Sequence, residues 1–175
     1  MTCYYTSLRS PLGDLLLTAD ADGALTSLSV PGQKGGRTVA GIEDTHVSDP
    51  GPFAETARQL AAYFAGDLKE FDLPLRPGGT EFRRRVWDAL DAVPYGATTS
   101  YGALAARVGA SGVGVRAVGG AIGANPLLVV RPCHRVIGAT GALTGYAGGL
   151  ERKVQLLTLE GSLQGSAGGS GRGSL

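Results

Sequence analysis

The chain predicts an α+β fold, with a small antiparallel β-sheet and one helix in the N-terminal part and a helical C-terminal part built around a helix-turn-helix-like pair. Three observations predict it. Short apolar runs punctuated by Gly- and Pro-bearing turns crowd residues 3–30. From residue 80 onward, apolar residues recur at helical spacing between capping and stop signals. The 175 residues, 43% hydrophobic and 18% charged, give a globular chain of one ordinary domain or two small ones sharing a core.

Taken in order, CYYTSL (3–8), DLLLTA (14–19) and ALTSLSV (24–30) read as strands of an antiparallel meander, separated by SPLG and DADG. Residues 31–51, rich in Gly, Pro and Asp and without periodicity, read as a loop. Pro52 opens a helix with apolar Phe53, Ala57, Leu60, Ala61 and Phe64, closed by Gly66. LKEFDLPLRPGG (68–79) reads as a strand followed by a linker, so the boundary falls at residue 79, dividing an N-terminal domain (1–79) from a C-terminal one (80–163). Thr80 caps the next helix, where Phe82, Val86, Ala89, Leu90 and Val93 share a face and Pro94 and Gly96 make the stop. Ser100 caps YGALAARV, which ends at Gly109, and Ser111 starts a segment that Asn125-Pro126 terminates. A last helix runs from Leu150 to Glu160 and ends at Gly161; the Gly/Ser-rich tail 164–175 is expected to be disordered.

Several classes are excluded. No apolar run approaches the ~20 residues of a membrane span, and the N-terminus lacks the basic start of a signal peptide, so a cytoplasmic location is expected. Two cysteines, Cys3 and Cys133, make no disulfide framework, and with only His46 and His134 beside them the spacings match no zinc motif. The net charge of +1 hides an asymmetry: residues 1–79 carry six basic against ten acidic groups, residues 80–175 ten against five. A basic C-terminal half points to a polyanionic partner.

The helix at 112–124 is unusual. Val115, Val118 and Ile122 form a stripe that can face a core, while Arg116, Gly119, Gly120 and Gly123 share another face, a single Arg on a nearly bare backbone. Each interior Gly costs up to ~1 kcal/mol relative to Ala. Such a face either packs closely on another helix of the fold or lets an outside molecule approach; Arg116 and the paired preceding helix favour a nucleic-acid groove.

RPCHRVIG (131–138) holds the chemistry. A thiolate is a strong nucleophile, and the flanking Arg131 and Arg135 favour it, although adjacent side chains of a strand diverge, so Cys133 and His134 need a turn or a bridging water to communicate. Glu160 stands at a helix C-terminus, where the dipole disfavours a carboxylate, and this placement fits a cationic partner such as His134. A buried structural cysteine and a solvated helix-end glutamate are the plain alternatives.

PCHRVIG, with TSYGALA (99–105), RAVGGAIGANP (116–126) and LTGYAGGLERK (143–153) through LLTLEG (156–161), resembles the O6-alkylguanine-DNA alkyltransferases, the self-consuming DNA repair proteins. The resemblance covers residues 80–161; the N-terminal part shares general shape and its YFAG (63–66) helix end. It implies double-stranded DNA containing O6-alkylguanine as partner, approached from the minor groove with the base flipped out, a monomer that uses no cofactor and no metal, and one turnover per molecule. By residue, it implies Cys133 as alkyl acceptor, His134 taking its proton through a water, Glu160 orienting His134, and Asn125 holding the turn. Arg116 is implied as the finger that fills the gap, with Ala117, Gly119, Gly120 and Arg135 on the DNA side. Tyr101 is implied to rotate the nucleotide, and Val136, Tyr146, Ala147 and Gly148 to line the base pocket. O4-alkylthymine as a second substrate and cooperative binding along DNA stay open.

Some positions depart from the family pattern. Arg131 stands where members have an apolar residue, and is expected either to snorkel outward or to perturb the thiol. Ala97 replaces a common Glu, and Ala147 stands where some members have Ser. The rival readings are a lesion binder without chemistry, which carries Trp where Cys133 stands, a transcription regulator using the same helix pair, and a Cys–His hydrolase.

Overall fold

The computed structural model describes residues 1–110, 114–143 and 145–163. The cap expected at Ser111 and the tail 164–175 lie outside the described residues.

Strands β1 (Cys3–Ser10) and β2 (Gly13–Ala19) form a hairpin whose last pair is Ser10 with Gly13, and Gly13 takes the left-handed φ of 105° that the turn requires. β3 (Leu25–Ser29) adds antiparallel to β2, so the expected meander is present. β2 is central, and Leu15–Ala19 are buried without alternation because both faces of this strand are covered.

The sheet is nevertheless mixed. A fourth strand, β4 (His46–Ser48), pairs parallel to β1, giving the order β3-β2-β1-β4. The segment expected as plain loop therefore contains this edge strand and a single helical turn, α1 (Val39–Ile42), capped by the Thr38 side chain. The strand expected within 68–79 reduces to one bridge between Leu25 and Leu75, flanked by hydrogen bonds from Leu25 N to Pro74 O and from Arg76 N to Leu25 O. Pro74 and Pro77 have no N–H to donate, so the ladder cannot extend.

A 3₁₀ turn at Gly51–Phe53 leads into α2 (Ala54–Phe64), which buries Leu60 and Tyr63. In the C-terminal half, Thr80 accepts from Arg83 N and starts α3 (Glu81–Asp91), with Val86, Trp87 and Leu90 inward. The Trp87 ring leaves no room at Gly79, where an added Cβ would lie 2.7 Å from it. The short strand β5 (Thr99–Ser100) enters α4 (Tyr101–Arg107), whose N-terminus is capped by Ser100. α5 (Gly114–Gly123) packs against both α3 and α4. β6 (Val136–Ile137) pairs parallel to β5, Thr99 opposite Val136, and so clips the segment after Cys133 to the entry of the helix pair. α6 (Leu150–Leu159) is the last element among the described residues.

One buried cluster runs through both halves, from Leu15, Leu17 and Leu28 of the sheet to Leu90, Leu104, Leu127 and Leu156. The halves are also tied by polar contacts: Arg152 Nε donates to Leu12 O, and Lys34 N donates to Ala147 O. Among the described residues, no helix is long and apolar enough to cross a membrane.

Candidate active site

The segment leading to Cys133 is folded by two tight three-residue turns. Val130 N donates to Leu128 O around Val129, whose φ is 72°, and Cys133 N donates to Arg131 O around Pro132. A left-handed conformation costs a β-branched residue on the order of 1–2 kcal/mol, so this approach to Cys133 is held by its surroundings. Asn125 holds it: Oδ1 accepts from Leu127 N, while Nδ2 donates to Leu127 O, Arg131 O and the Cys133 sulfur. Cys133, His134 and Arg135 then form a 3₁₀ turn, not a strand. The directions of Cys133 and His134 are therefore set by a turn and not by the two-sided alternation of a strand.

His134 is fully buried, and its Nε2 donates to Glu160 Oε2 at 2.8 Å. This bond puts the proton on Nε2 and leaves Nδ1, also enclosed, as the acceptor. Glu160 occupies the C-cap of α6 and accepts from two more side chains besides His134. Arg135 reaches it through Nε and Nη2, and the Tyr63 hydroxyl donates to Oε2 at 2.5 Å. Burial alone would raise the Glu160 pKa, but the hydrogen bonds of His134 and Arg135 outweigh it and bring it down to about 2. Burial holds His134 below the ordinary imidazole value, against the pull of Glu160, so its resting form is neutral.

The thiol of Cys133 is pushed up to about 11 by burial, opposed by the Asn125 hydrogen bond, the Lys153 charge and the Tyr146 hydroxyl. The two flanking arginines do not act on it as expected. Arg131 turns away, donating to both carboxylate oxygens of Asp91 with its guanidinium 5.2 Å from the centre of the Trp87 ring. Arg135, expected on the DNA side, is buried instead, its guanidinium taken up by Glu160 and the Val93 carbonyl.

The positive charge that acts on the thiol comes from Lys153 and not from the flanking arginines. Lys153 is fully buried on α6, and its Nζ donates to Val136 O at 2.6 Å. In the sequence this lysine ends the GGLERK run (148–153), where no local feature marks it. Tyr63 is unmarked likewise. The signal for Lys153 was positional: Lys153, Leu156, Leu157 and Glu160 share one helix face, which puts the lysine on the side of the glutamate.

Cys133 lies in the lining of a cavity of about 430 Å³. Tyr101, Gly119 and Gly123 border it from the helix pair, and Gly145, Tyr146 and Ala147 from the loop before α6. Val136 and Gly148, expected in this lining, stand behind it. Val136 is fully buried with its carbonyl on Lys153, and Gly148 packs under the Tyr146 ring, where a Cβ would lie 2.8 Å from it. A larger cavity, about 670 Å³, lies between 69–75 and 91–95 and reaches Arg135 but not the thiol.

The glycine face of α5 is open. A Cβ at Gly120 or Gly123 would meet nothing within 4 Å, and at Gly119 only the edge of Tyr101 at 4.0 Å. Arg116 and Ala117 are exposed beside it. Close packing on another helix therefore does not account for this face among the described residues.

Comparison with known proteins converges on one family. A family model described as the DNA binding domain of 6-O-methylguanine DNA methyltransferase matches residues 81–162, and one described as its ribonuclease-like domain matches residues 3–77. A methylated-DNA–protein-cysteine methyltransferase of Mycolicibacterium paratuberculosis is 51% identical over 89% of this chain and 91% of its own. That of Methanosarcina acetivorans is 47% identical over 91% and 99%. The crystal structure of Mycobacterium tuberculosis OGT in complex with DNA superposes with a TM-score of 0.82 at 49% identity, covering 91% of this chain and 93% of that one.

Proposed function

The chain belongs to the methylated-DNA–protein-cysteine methyltransferase family, and from that premise we propose how its residues carry out the reaction. The protein repairs DNA by direct reversal, moving an alkyl group from a damaged base to its own cysteine. The acceptor is Cys133 and the substrate O6-alkylguanine in double-stranded DNA, read by a monomer from the minor groove. The observation that carries this reading is one cavity whose lining contains both the Cys133 thiol and glycines of the open α5 face. A base turned out of a duplex lying on that face would reach the sulfur.

Arg116, exposed on α5, fills the space the base leaves, and Ala117, Gly119 and Gly120 let the backbone of the narrow groove come close. Tyr101 guides the nucleotide, and Tyr146 and Ala147 hold the base. His134 Nδ1 takes the thiol proton through a water, with Glu160 fixing the ring through Nε2. Lys153 and the Asn125 amide stabilise the sulfur's negative charge. The sulfur attacks the alkyl carbon in line; the S–C bond forms as the C–O6 bond breaks, its electron pair stays on the guanine, and the base picks up a proton. The product thioether does not hydrolyse, so each molecule acts once. Phosphate contacts dominate affinity, which falls with salt.

The test is mass spectrometry after incubation with a duplex bearing O6-methylguanine. One methyl group per protein, located on the Cys133 peptide and absent in Cys133→Ala, is the expected result. Product beyond one equivalent, or label on Cys3, rejects the reading.

A further inference from the structure

We propose that Tyr63 is a positioning residue for alkyl transfer, the phenol through which the N-terminal half of the chain fixes the carboxylate that orients His134. The proposal rests on the proton relay described above and extends it to a part of the protein with no assigned chemistry.

Tyr63 lies on α2, 97 residues before Glu160, and is fully buried. Its hydroxyl donates to Glu160 Oε2, the same oxygen that accepts from His134 Nε2 at 2.8 Å and from Arg135 Nη2 at 3.0 Å. Arg135 Nε holds the other oxygen at 2.7 Å. A glutamate's terminal torsion is broad, so a carboxylate gripped along one edge by a guanidinium can still swing about that edge. A donor from a separate element removes this freedom. The helix C-terminus also works against a negative charge at Glu160, which makes each added donor more consequential there.

The phenol is itself held. Its ring packs on Phe71 and Tyr95, with centroids 5.2 and 6.3 Å away. Gln59, one turn earlier on α2, exchanges two hydrogen bonds with the backbone of Asp72 and so anchors the strip bearing Phe71. The sheet domain thus presents one rigid hydroxyl to the relay and offers no other described side chain to Glu160.

The experiment compares Tyr63→Phe with the wild type in single-turnover methyl transfer from an O6-methylguanine duplex. Phe keeps the ring contacts and removes only the donor. The transfer rate at saturating duplex is expected to fall about tenfold, in the range of a hydrogen bond to a charged group, with the duplex Kd unchanged. In a Glu160→Gln background the same change is expected to alter the rate by less than about twofold, because the phenol acts through the carboxylate. The His134 Nε2–H proton resonance gives a readout independent of turnover and is expected to shift in Tyr63→Phe. An unchanged rate, an equal loss in both backgrounds, or an unmoved resonance overturns the proposal. A wild-type protein that takes up no methyl group instead rejects the alkyltransferase reading itself.

Discussion

The side-chain amide of Asn125 stands 3.2 Å from the sulfur of Cys133 and donates to it, while the same side chain closes the turn that delivers that sulfur. Structure and reactivity therefore meet in one residue, and a substitution can separate them. Asn125→Asp keeps an oxygen for Leu127 N but sets a carboxylate against the developing thiolate. A one-unit rise in thiol pKa already corresponds to about tenfold less thiolate. Transfer from an O6-methylguanine duplex is expected to fall by at least about that factor. Binding of the same duplex, followed by fluorescence anisotropy, is expected to hold. Equal transfer rates would remove the amide from the mechanism.

The buried Glu160–His134 pair makes stability fall in acid. Glu160 has a pKa of about 2 in the fold against an ordinary 4.5, so between these values the unfolded chain binds the extra proton. Its contribution, on the order of 3 kcal/mol, is full above pH 4.5 and is lost as pH falls toward 2. His134 acts in the same direction from 6.5 downward, because burial lowers its pKa and the unfolded chain protonates first. Urea unfolding of the wild type should show a steep loss of stability below pH 4.5, and Glu160→Gln, less stable at neutral pH, should show a shallower one. Parallel pH profiles would contradict the assignment.

The same cluster depends on contacts that local sequence does not encode. Capping signals and periodicity placed α3, α4 and α6 closely, because Thr80, Ser100 and the helical spacing act locally. The motif around Cys133 drew attention to His134, which the fold joins to Glu160. What was not legible depends on partners far away in the chain. The parallel pairing of β4 with β1 joins residues more than forty apart, and no local alternation announces it. Arg131 and Arg135 read as neighbours of the thiol until Asp91, Trp87 and Glu160, from other elements, are seen to take them. α6 buries Lys153, with Glu160 at its C-cap, beside Leu156 and Leu157, while Leu150 and Val154 are exposed. A hydrophobic pattern reports the leucines of that face but not the polar residues buried between them.

Arg131 is 6% exposed and paired with an Asp91 side chain that is 41% exposed. Removing one partner of such a pair strands a buried charge, whereas replacing the buried cation with an apolar chain of similar size does not. Asp91→Ala is thus expected to destabilise by about 1–2 kcal/mol, discounted for the exposure of the carboxylate. Arg131→Met is expected to cost less, and in the Asp91→Ala background it should restore stability. Denaturant melts of the two single variants and the double variant decide it. A double variant less stable than either single one would mean that the guanidinium's stacking on Trp87 outweighs its charge.

Arg116 is expected to matter more to the flipped state than to encounter with the duplex. If its side chain fills the gap left by the base, Arg116→Ala loses part of the few kcal/mol that offset unstacking, about tenfold in transfer rate, with a smaller loss of duplex affinity. Fluorescence of 2-aminopurine placed next to the lesion reports the flipped base directly, and should drop in the variant. A loss of affinity without a change in that signal would reduce Arg116 to a phosphate contact.

Gly120 offers a test in which stability and function are expected to move in opposite directions. It is an interior residue of α5 with no atom within 4 Å of where a Cβ would stand, so alanine fits without repacking. Replacing a mid-helix glycine by alanine stabilises by about 0.8–1 kcal/mol, and the melting temperature of Gly120→Ala should rise accordingly. If the bare face exists to admit a DNA backbone, the added methyl occupies the space of closest approach, and duplex affinity should fall, more so for Gly120→Leu. A glycine required by the fold alone would instead lower the melting temperature when replaced and leave duplex affinity unchanged. Should Gly120→Ala raise the melting temperature and bind duplex as well as the wild type, the DNA face must be sought elsewhere on the C-terminal half.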